Sequence, residues 1–303
     1  MDGILQSILS ASFAGAVLRI TTPLLFPSLG ALISDRAGVI NIGLEGIMLT
    51  AAFTGATVGA VLQNALIGLV AGMVAGILMA LLLAFFHLTL NGNLILGGVA
   101  VNILGAAGTV ALGYQIGGAR AGGLQLPAVS LPEVTLPFLQ GTPALYDVIG
   151  AQNVLTWVAF ACVPVVWFLL YQMPIGRHLR AVGENPTAAA SVGIRVRRMR
   201  YLALALSGLL AGLGGLHLSM GYLSGFSREM TAGRGYIALV IPALGGRSPW
   251  GTALAALLFG VFAALETRLG SAAIPSQLPQ MIPYAATLIA LILYAAQRKR
   301  RTV

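Results

Sequence analysis

Charged residues are scarce in this chain. Only 8% of its 303 residues are Asp, Glu, Lys or Arg, while 58% are hydrophobic; soluble domains carry about a quarter charged residues. A water-soluble fold of this size would have too few polar side chains to cover its surface, and a mean hydropathy of +0.91 marks a polytopic membrane protein. Cysteine is nearly missing as well. Cys162 stands alone, which excludes an intrachain disulfide and a thiolate metal cluster and leaves it the role of a small apolar residue. Lysine occurs once, at Lys299. A Walker A loop needs a lysine after its glycines, and one so near the end cannot supply it, so the chain does not itself bind ATP through a P-loop. The histidines, His87, His178 and His217, are scattered, with no acidic or cysteine partner at metal-ligand spacing. Gly-x-Ser-x-Gly, His-Glu-x-x-His and dinucleotide-fingerprint patterns are absent. An enzyme is therefore not expected; only an intramembrane one whose residues converge in space would escape this test.

Long apolar runs take the place of charge. A bilayer core about 30 Å thick takes roughly twenty apolar residues as helix, and candidate spans run near 8–33, 40–62, 65–89, 93–116, 151–171, 200–221, 235–247, 250–267 and 281–297. The expected fold is an all-α integral membrane bundle of about nine spans, with residues 1–303 forming one transmembrane domain. The seventh run is short enough to be a half-helix or re-entrant segment. Arg19, Pro23 and Pro27 allow the first run to be two pieces instead of one.

The formal charge is +9 and the pI near 10.4, which in a soluble protein would raise nucleic-acid binding. In a membrane protein positive residues mark cytoplasmic loops, and no nucleic-acid partner is expected. Arg177, Arg180, Arg195, Arg197, Arg198 and Arg200 crowd the 172–200 connection, and Arg298, Lys299, Arg300 and Arg301 the tail, so both are assigned to the cytoplasm. Counting spans back places the N-terminus outside and Asp35-Arg36 inside. The first residues lack the basic start of a removable signal peptide, so the first span is expected to stay. The 117–150 connection, with Pro127, Pro132, Pro137, Pro143 and a single arginine, Arg120, falls outside. It reads as an irregular loop that either meets an extracytoplasmic partner or covers the helix ends.

Small residues recur at four-residue spacing: Gly68, Gly72 and Gly76, then Gly208 and Gly212. Such stripes let helix backbones approach closely in lipid. Residues 36–46 echo residues 233–243, Gly38 matching Gly235 and Ile40 matching Ile237. By the span count the two segments begin on opposite sides, the pattern of an inverted repeat with the transport pathway between its halves.

In the cytoplasmic stretch 176–200, Asn185-Pro-Thr187 is a helix start with Asn185 or Thr187 as cap. Helix formers follow from Ala188 to Ser191, and Gly193 is a natural stop. A short helix of small residues suits a cleft on another protein; its basic flanks equally suit anionic lipid headgroups. The segment resembles the coupling loop of bacterial ABC importer permeases, which docks in a groove of the ATPase subunit. Residues 34–46, 209–215 (Leu-Leu-Ala-Gly-Leu-Gly-Gly) and 233–246 resemble the branched-chain amino acid/ribose permease superfamily. Asn41-Ile-Gly-Leu-Glu-Gly46 is most similar to its nucleoside, or "simple sugar", branch. The likeness runs from about residue 20 to 297. The long basic N-terminal extension of ribose permeases is lacking, in keeping with an outside N-terminus.

That resemblance implies a type II ABC importer fold with inverted repeats, in a bacterial plasma (inner) membrane. It implies a second permease subunit, usually a different one in the nucleoside branch, and an extracytoplasmic substrate-binding lipoprotein. It also implies an ABC ATPase subunit that uses ATP and Mg, with no cofactor bound by this chain. A nucleoside is the expected cargo, with a simple sugar or riboflavin as alternatives. An ion-coupled secondary transporter could share the span count and repeat, but should show paired intramembrane acids and work without an ATPase.

For ATPase coupling the candidates are Arg180, Gly183, Glu184, Asn185, Ala189 and Gly193, against the plainer reading of a capped interfacial helix. A bulky charge at Ala189 is expected to block docking. For the substrate pathway, Asn41 and Glu45 stand four apart on one helix face, in a run where ionisable groups are costly and often functional. For Glu45, a structural hydrogen bond to backbone stands beside a gate or substrate contact. Asn102 and Gln115 add polar groups to the fourth span, and Tyr236 offers a ring for stacking; Tyr222 and Phe226 suit packing at least as well. Arg228, Glu229 and Arg234 flank the short seventh run, where they meet a binding protein or merely pair in water. Arg19 has no evident partner.

Overall fold

The computed structural model describes residues 11–117, 124–135 and 146–270. Among them, seven helices are long and apolar enough to cross a membrane. Five come first: α1 (Ala11–Arg36), α2 (Leu44–Leu62), α3 (Ala65–Ala84), α4 (Leu94–Gly117) and α5 (Val154–Tyr171). Two short helices, α6 (Pro174–Glu184) and α7 (Pro186–Ser191), precede the sixth long one, α8 (Val196–Leu216). An eleven-residue helix, α9 (Arg234–Leu244), leads into α10 (Pro249–Gly270). α3 and α8 each run on into a π turn, Phe85–Thr89 and His217–Tyr222. The expectation of about nine spans thus becomes seven crossing helices and one short helix among the described residues. The run at 281–297 lies outside them. α9 rises only about 16 Å, half a bilayer core, which fits the half-helix reading of its run.

α1 is one continuous helix despite Pro23 and Pro27. Proline leaves the carbonyl four residues back without its helical donor, and tight packing holds the shape instead, since every residue from Ile20 to Ser34 is buried. Buried His217 lies by the Arg19 carbonyl that Pro23 leaves free. The Arg19 side chain is itself exposed. α1 and α8 form the buried centre, while α3, α4, α5 and α10 leave most of their surface on the outside.

The glycine stripes are packing devices. A Cβ at Gly68 would lie 2.6 Å from the Gly55 carbonyl oxygen of α2, and one at Gly76 would lie 2.7 Å from the Gly208 carbonyl of α8. Only glycine lets α3 come that close to both neighbours, and close approach is what drives helix association in lipid.

At the end away from α6 and α7, short strands tie the connections together. β1 (Gln125–Pro127) pairs antiparallel with β4 (Gly225–Ser227), and β2 (Glu133–Thr135) with β3 (Ala151–Asn153). Leu124 and Leu126 are buried against Gly113 and Gly117 of α4, and Phe226 meets Phe53 edge to face at 5.3 Å. The described part of the 117–150 connection therefore covers helix ends. Arg120 lies outside the described residues.

Candidate functional site

Between α1 and α2 the chain leaves the helix for residues 37–43. Irregular backbone within a bilayer must find its hydrogen bonds inside the protein, and two asparagines supply them. Asn41, fully buried, donates from Nδ2 to the Ser207 hydroxyl at 2.9 Å and accepts at Oδ1 from the Gly43 N–H at 3.2 Å. Asn102 of α4 accepts from the Gly46 N–H at 2.8 Å and donates to the Ile42 carbonyl at 2.9 Å. An amide side chain carries both donor and acceptor, which is what a broken backbone needs. Ser207 lies eleven residues into α8 and Asn102 eight into α4, about 16 Å and 12 Å along their axes. The break therefore sits deep in the bundle.

Glu45, in the first turn of α2, is 8% exposed. Its Oε1 accepts from the Thr231 hydroxyl at 2.5 Å and the Gly233 N–H at 2.9 Å, and its Oε2 from the Gly235 N–H at 2.7 Å. Gly233 caps α9 with φ +77°, the left-handed conformation that glycine adopts without strain. The first N–H groups of a helix have no partner within it, and the helix dipole favours a negative group there. The Glu45 carboxylate fills that role for α9. A Cβ at Gly235 would lie 2.5 Å from the Glu45 backbone nitrogen, so the approach depends on glycine. Two segments that echo each other in sequence, 36–46 and 233–243, are thus in direct contact.

Tyr236, half exposed, turns its hydroxyl toward the Asn102 amide and the Glu45 carboxylate. Asn41, Glu45, Asn102 and Tyr236 come together; Gln115 does not. It is exposed, thirteen residues beyond Asn102 and about 20 Å further along α4. Ser207 and Thr231 complete the junction. A lone hydroxyl in an apolar run gave no sequence signal for Ser207, nor did one in the loop before α9 for Thr231.

The arginine-rich end holds a second polar network. α6 buries Gly176, Leu179 and Val182 and exposes Arg177 and His178. A Cβ at Gly183 would stand 2.1 Å from the Arg36 carbonyl oxygen and 3.0 Å from the Gly38 nitrogen: the α6 backbone rests directly on the α1–α2 link. Arg180 donates to the Leu170 carbonyl at 3.1 Å and lies 4.8 Å over the Tyr171 ring. Arg36 reaches the Tyr171 hydroxyl at 3.3 Å and the Arg247 carbonyl at 2.9 Å. Arg247 in turn pairs with Asp35 at 3.0 Å. The ends of α1, α5 and α6 and the α9–α10 turn are so tied together. Asp35 and Arg247 are far apart in sequence, and nothing local pointed to their pairing.

Asn185 is the cap of α7, accepting from the Ala188 N–H at 3.0 Å, and Gly193 ends the turn with φ +84°. Ala189 is buried against the body of the protein, whereas Thr187, Ala188, Ala190, Ser191 and Val192 are exposed, Val192 at 75%. Glu184, the last residue of α6, is exposed. At the opposite end Arg228 and Glu229 pair at 3.5 Å with both side chains in the open, an arrangement that contributes little. Among the described residues no group of three His, Cys, Asp or Glu could hold a metal ion.

Residues 13–296 match the family described as branched-chain amino acid transport system, permease component. The chain is 32% identical to the nucleoside ABC transporter permease protein NupC of Lactococcus lactis, over 92% of this chain and 90% of that one. It is 34% identical to the guanosine ABC transporter permease protein NupQ of Bacillus subtilis, over 91% and 89% of the two chains. It is also 34% identical, over 86% and 78%, to TsgC13 of Haloferax volcanii, a proposed glucose ABC transporter permease protein. Among solved structures, PsaBC from Streptococcus pneumoniae in complex with Fab is similar in fold. The TM-score is 0.53 and the identity 15%, over 95% of this chain and 94% of that one.

Proposed function

Because the chain belongs to this family of permease components, it is the membrane-spanning subunit of an ATP-binding-cassette importer, and we propose that its cargo is a nucleoside. The observation that carries the cargo is the near full-length similarity to permeases named for nucleosides and guanosine. The geometry supports a division of labour among the pathway residues. Asn41, Glu45 and Asn102 are positioning residues whose polar atoms hold the α1–α2 break and the start of α9 at mid-depth. Tyr236, half open, offers the ring against which a base stacks as it passes between this chain and a second, different permease subunit. Gln115 belongs to the outer mouth.

The arginine-rich end is cytoplasmic in this reading and the β1–β4 end faces the substrate-binding lipoprotein. The partner ATPase, with its ATP and Mg, docks on the exposed side of α7. Its movement passes from α6 through the Gly183–Gly38 contact and the Arg36–Arg247–Asp35 ties to the lower end of α9, whose upper end Glu45 holds. The two contacting segments, 36–46 and 233–243, are the centre of an inverted repeat.

Co-reconstitution with the ATPase, the second permease and the lipoprotein tests this. ATP-dependent uptake of labelled guanosine or uridine is expected, with ribose, glucose and riboflavin far behind. Uptake of glucose alone would establish the sugar reading, which the TsgC13 likeness favours. Uptake driven by an ion gradient without the ATPase would overturn the importer mechanism.

A further inference from the structure

A recess of about 620 Å³ opens at the arginine-rich end, lined by Arg195, Val196, Arg197, Arg198 and Tyr201, with no carboxylate among its described lining residues. The three arginines are exposed at the start of α8, where the helix dipole is already positive. Cations there work against the helix. The preference of arginine for the cytoplasmic side accounts for the end they occupy and not for their convergence on one recess.

Arg197 is held in place. Its Nη2 donates to the Thr89 hydroxyl at 2.5 Å, its guanidinium lies 5.9 Å over the Tyr201 ring, and the Tyr201 hydroxyl is 2.5 Å from that of Thr89. Thr89 ends the π turn that continues α3. Along α3, Leu66, Val70, Val74, Leu78 and Leu82 are exposed at four-residue steps, and Phe85, Phe86 and Leu90 carry the apolar surface down to the recess. The stripe from Leu66 to Leu82 is about 24 Å long, more than the roughly 15 Å of one leaflet's hydrocarbon.

We propose that the recess holds the phosphate headgroup of an anionic phospholipid whose acyl chains lie along the α3 stripe. Arginine forks match phosphate oxygens in charge-assisted pairs, and basic pockets between membrane helices suit acidic headgroups. A zwitterionic headgroup brings an ammonium that finds no carboxylate among the described lining residues.

The test uses the full chain in detergent, titrated separately with phosphatidylglycerol, phosphatidylcholine and soluble glycerol phosphate, with bound lipid read by native mass spectrometry. Phosphatidylglycerol should bind at least tenfold more tightly than phosphatidylcholine. Each of Arg195→Gln, Arg197→Gln and Arg198→Gln should weaken it roughly fivefold while phosphatidylcholine binding stays constant. Thr89→Val, which removes the hydroxyl that holds Arg197 without changing charge, should lose part of the preference. Arg177→Gln, the same charge change on exposed α6, should lose none. Equal loss with Arg177→Gln would reduce the effect to general attraction between a basic face and an acidic leaflet, and overturn the site. Competition by glycerol phosphate would make it a soluble-phosphate site instead. Loss of ATPase assembly in the α8 variants, with lipid binding intact, would make the arginines a protein contact.

Discussion

Glu45→Gln separates a positioning role from a cargo contact. The wild-type carboxylate accepts three hydrogen bonds, from Thr231, Gly233 and Gly235. The amide has one accepting oxygen, so its NH2 group must face the hydroxyl and N–H at Oε1 or the N–H at Oε2. A hydrogen bond to a charged group contributes about 1.5–3 kcal/mol, and a carboxylate at a helix N-terminus up to about 2 kcal/mol in a partly buried setting. Neutralising a buried charge offsets part of this, and membrane segments find substitute partners when unfolded. The net expectation is a loss of about 2 kcal/mol. Glu45→Asp keeps the charge but retracts it by about 1.5 Å, too far to reach all three donors, and should do no better. The assays are thermal unfolding of the complex in nanodiscs and uptake kinetics in proteoliposomes at saturating binding lipoprotein. Lower stability, lower Vmax and unchanged KM are expected. A shifted KM with stability and Vmax intact would refute the reasoning, because it would make Glu45 a group that touches cargo.

The other expectations concern the arginine-rich end and the packing stripe. Gly183→Ala puts a methyl 2.1 Å from the Arg36 carbonyl, so α6 must shift by about 1 Å to restore ordinary contact; ATPase assembly should persist while ATP hydrolysis no longer drives uptake. Val192→Glu should abolish co-purification of the ATPase with little change in stability. Ala189→Glu should instead lower the stability of the α6–α7 segment, since Ala189 is buried and an unpaired charge there is costly. Gly76→Leu should cost about 1–3 kcal/mol by forcing α3 away from α8, visible as a lower midpoint in thermal unfolding. Asp35→Asn should change stability by less than about 1 kcal/mol, because Arg247 is 57% exposed; a larger loss would show that the tie carries more than a surface ion pair.

The lengths of the apolar runs placed the eight helices within a few residues, because in lipid apolar length and helix are nearly the same constraint. It also singled out the short run that became α9. The Asn185 cap and the Gly193 stop were readable because they depend only on neighbours along the chain. Pathway residues were less readable. Asn41, Glu45 and Asn102 stood out as polar groups in apolar runs, yet nothing in their spacing showed that their partners are backbone groups at a helix break. Ala189 shows the same limit: an alanine in a small-residue helix looks available for docking, and only the packing of α7 on the body reveals which side it occupies.

The sequence by itself determined the solvent and, to within the ambiguity of one short run, the number of crossing helices among the described residues. Each of these follows from composition or local spacing. The tertiary structure alone decided that Glu45 closes the N-terminus of α9, that Gly183 rests on the α1–α2 link, and that Thr89 and Tyr201 hold Arg197 at a recess. Those pairings join residues separated by up to 190 positions. They are selected by which helix faces can approach closely enough to satisfy polar groups that lipid cannot.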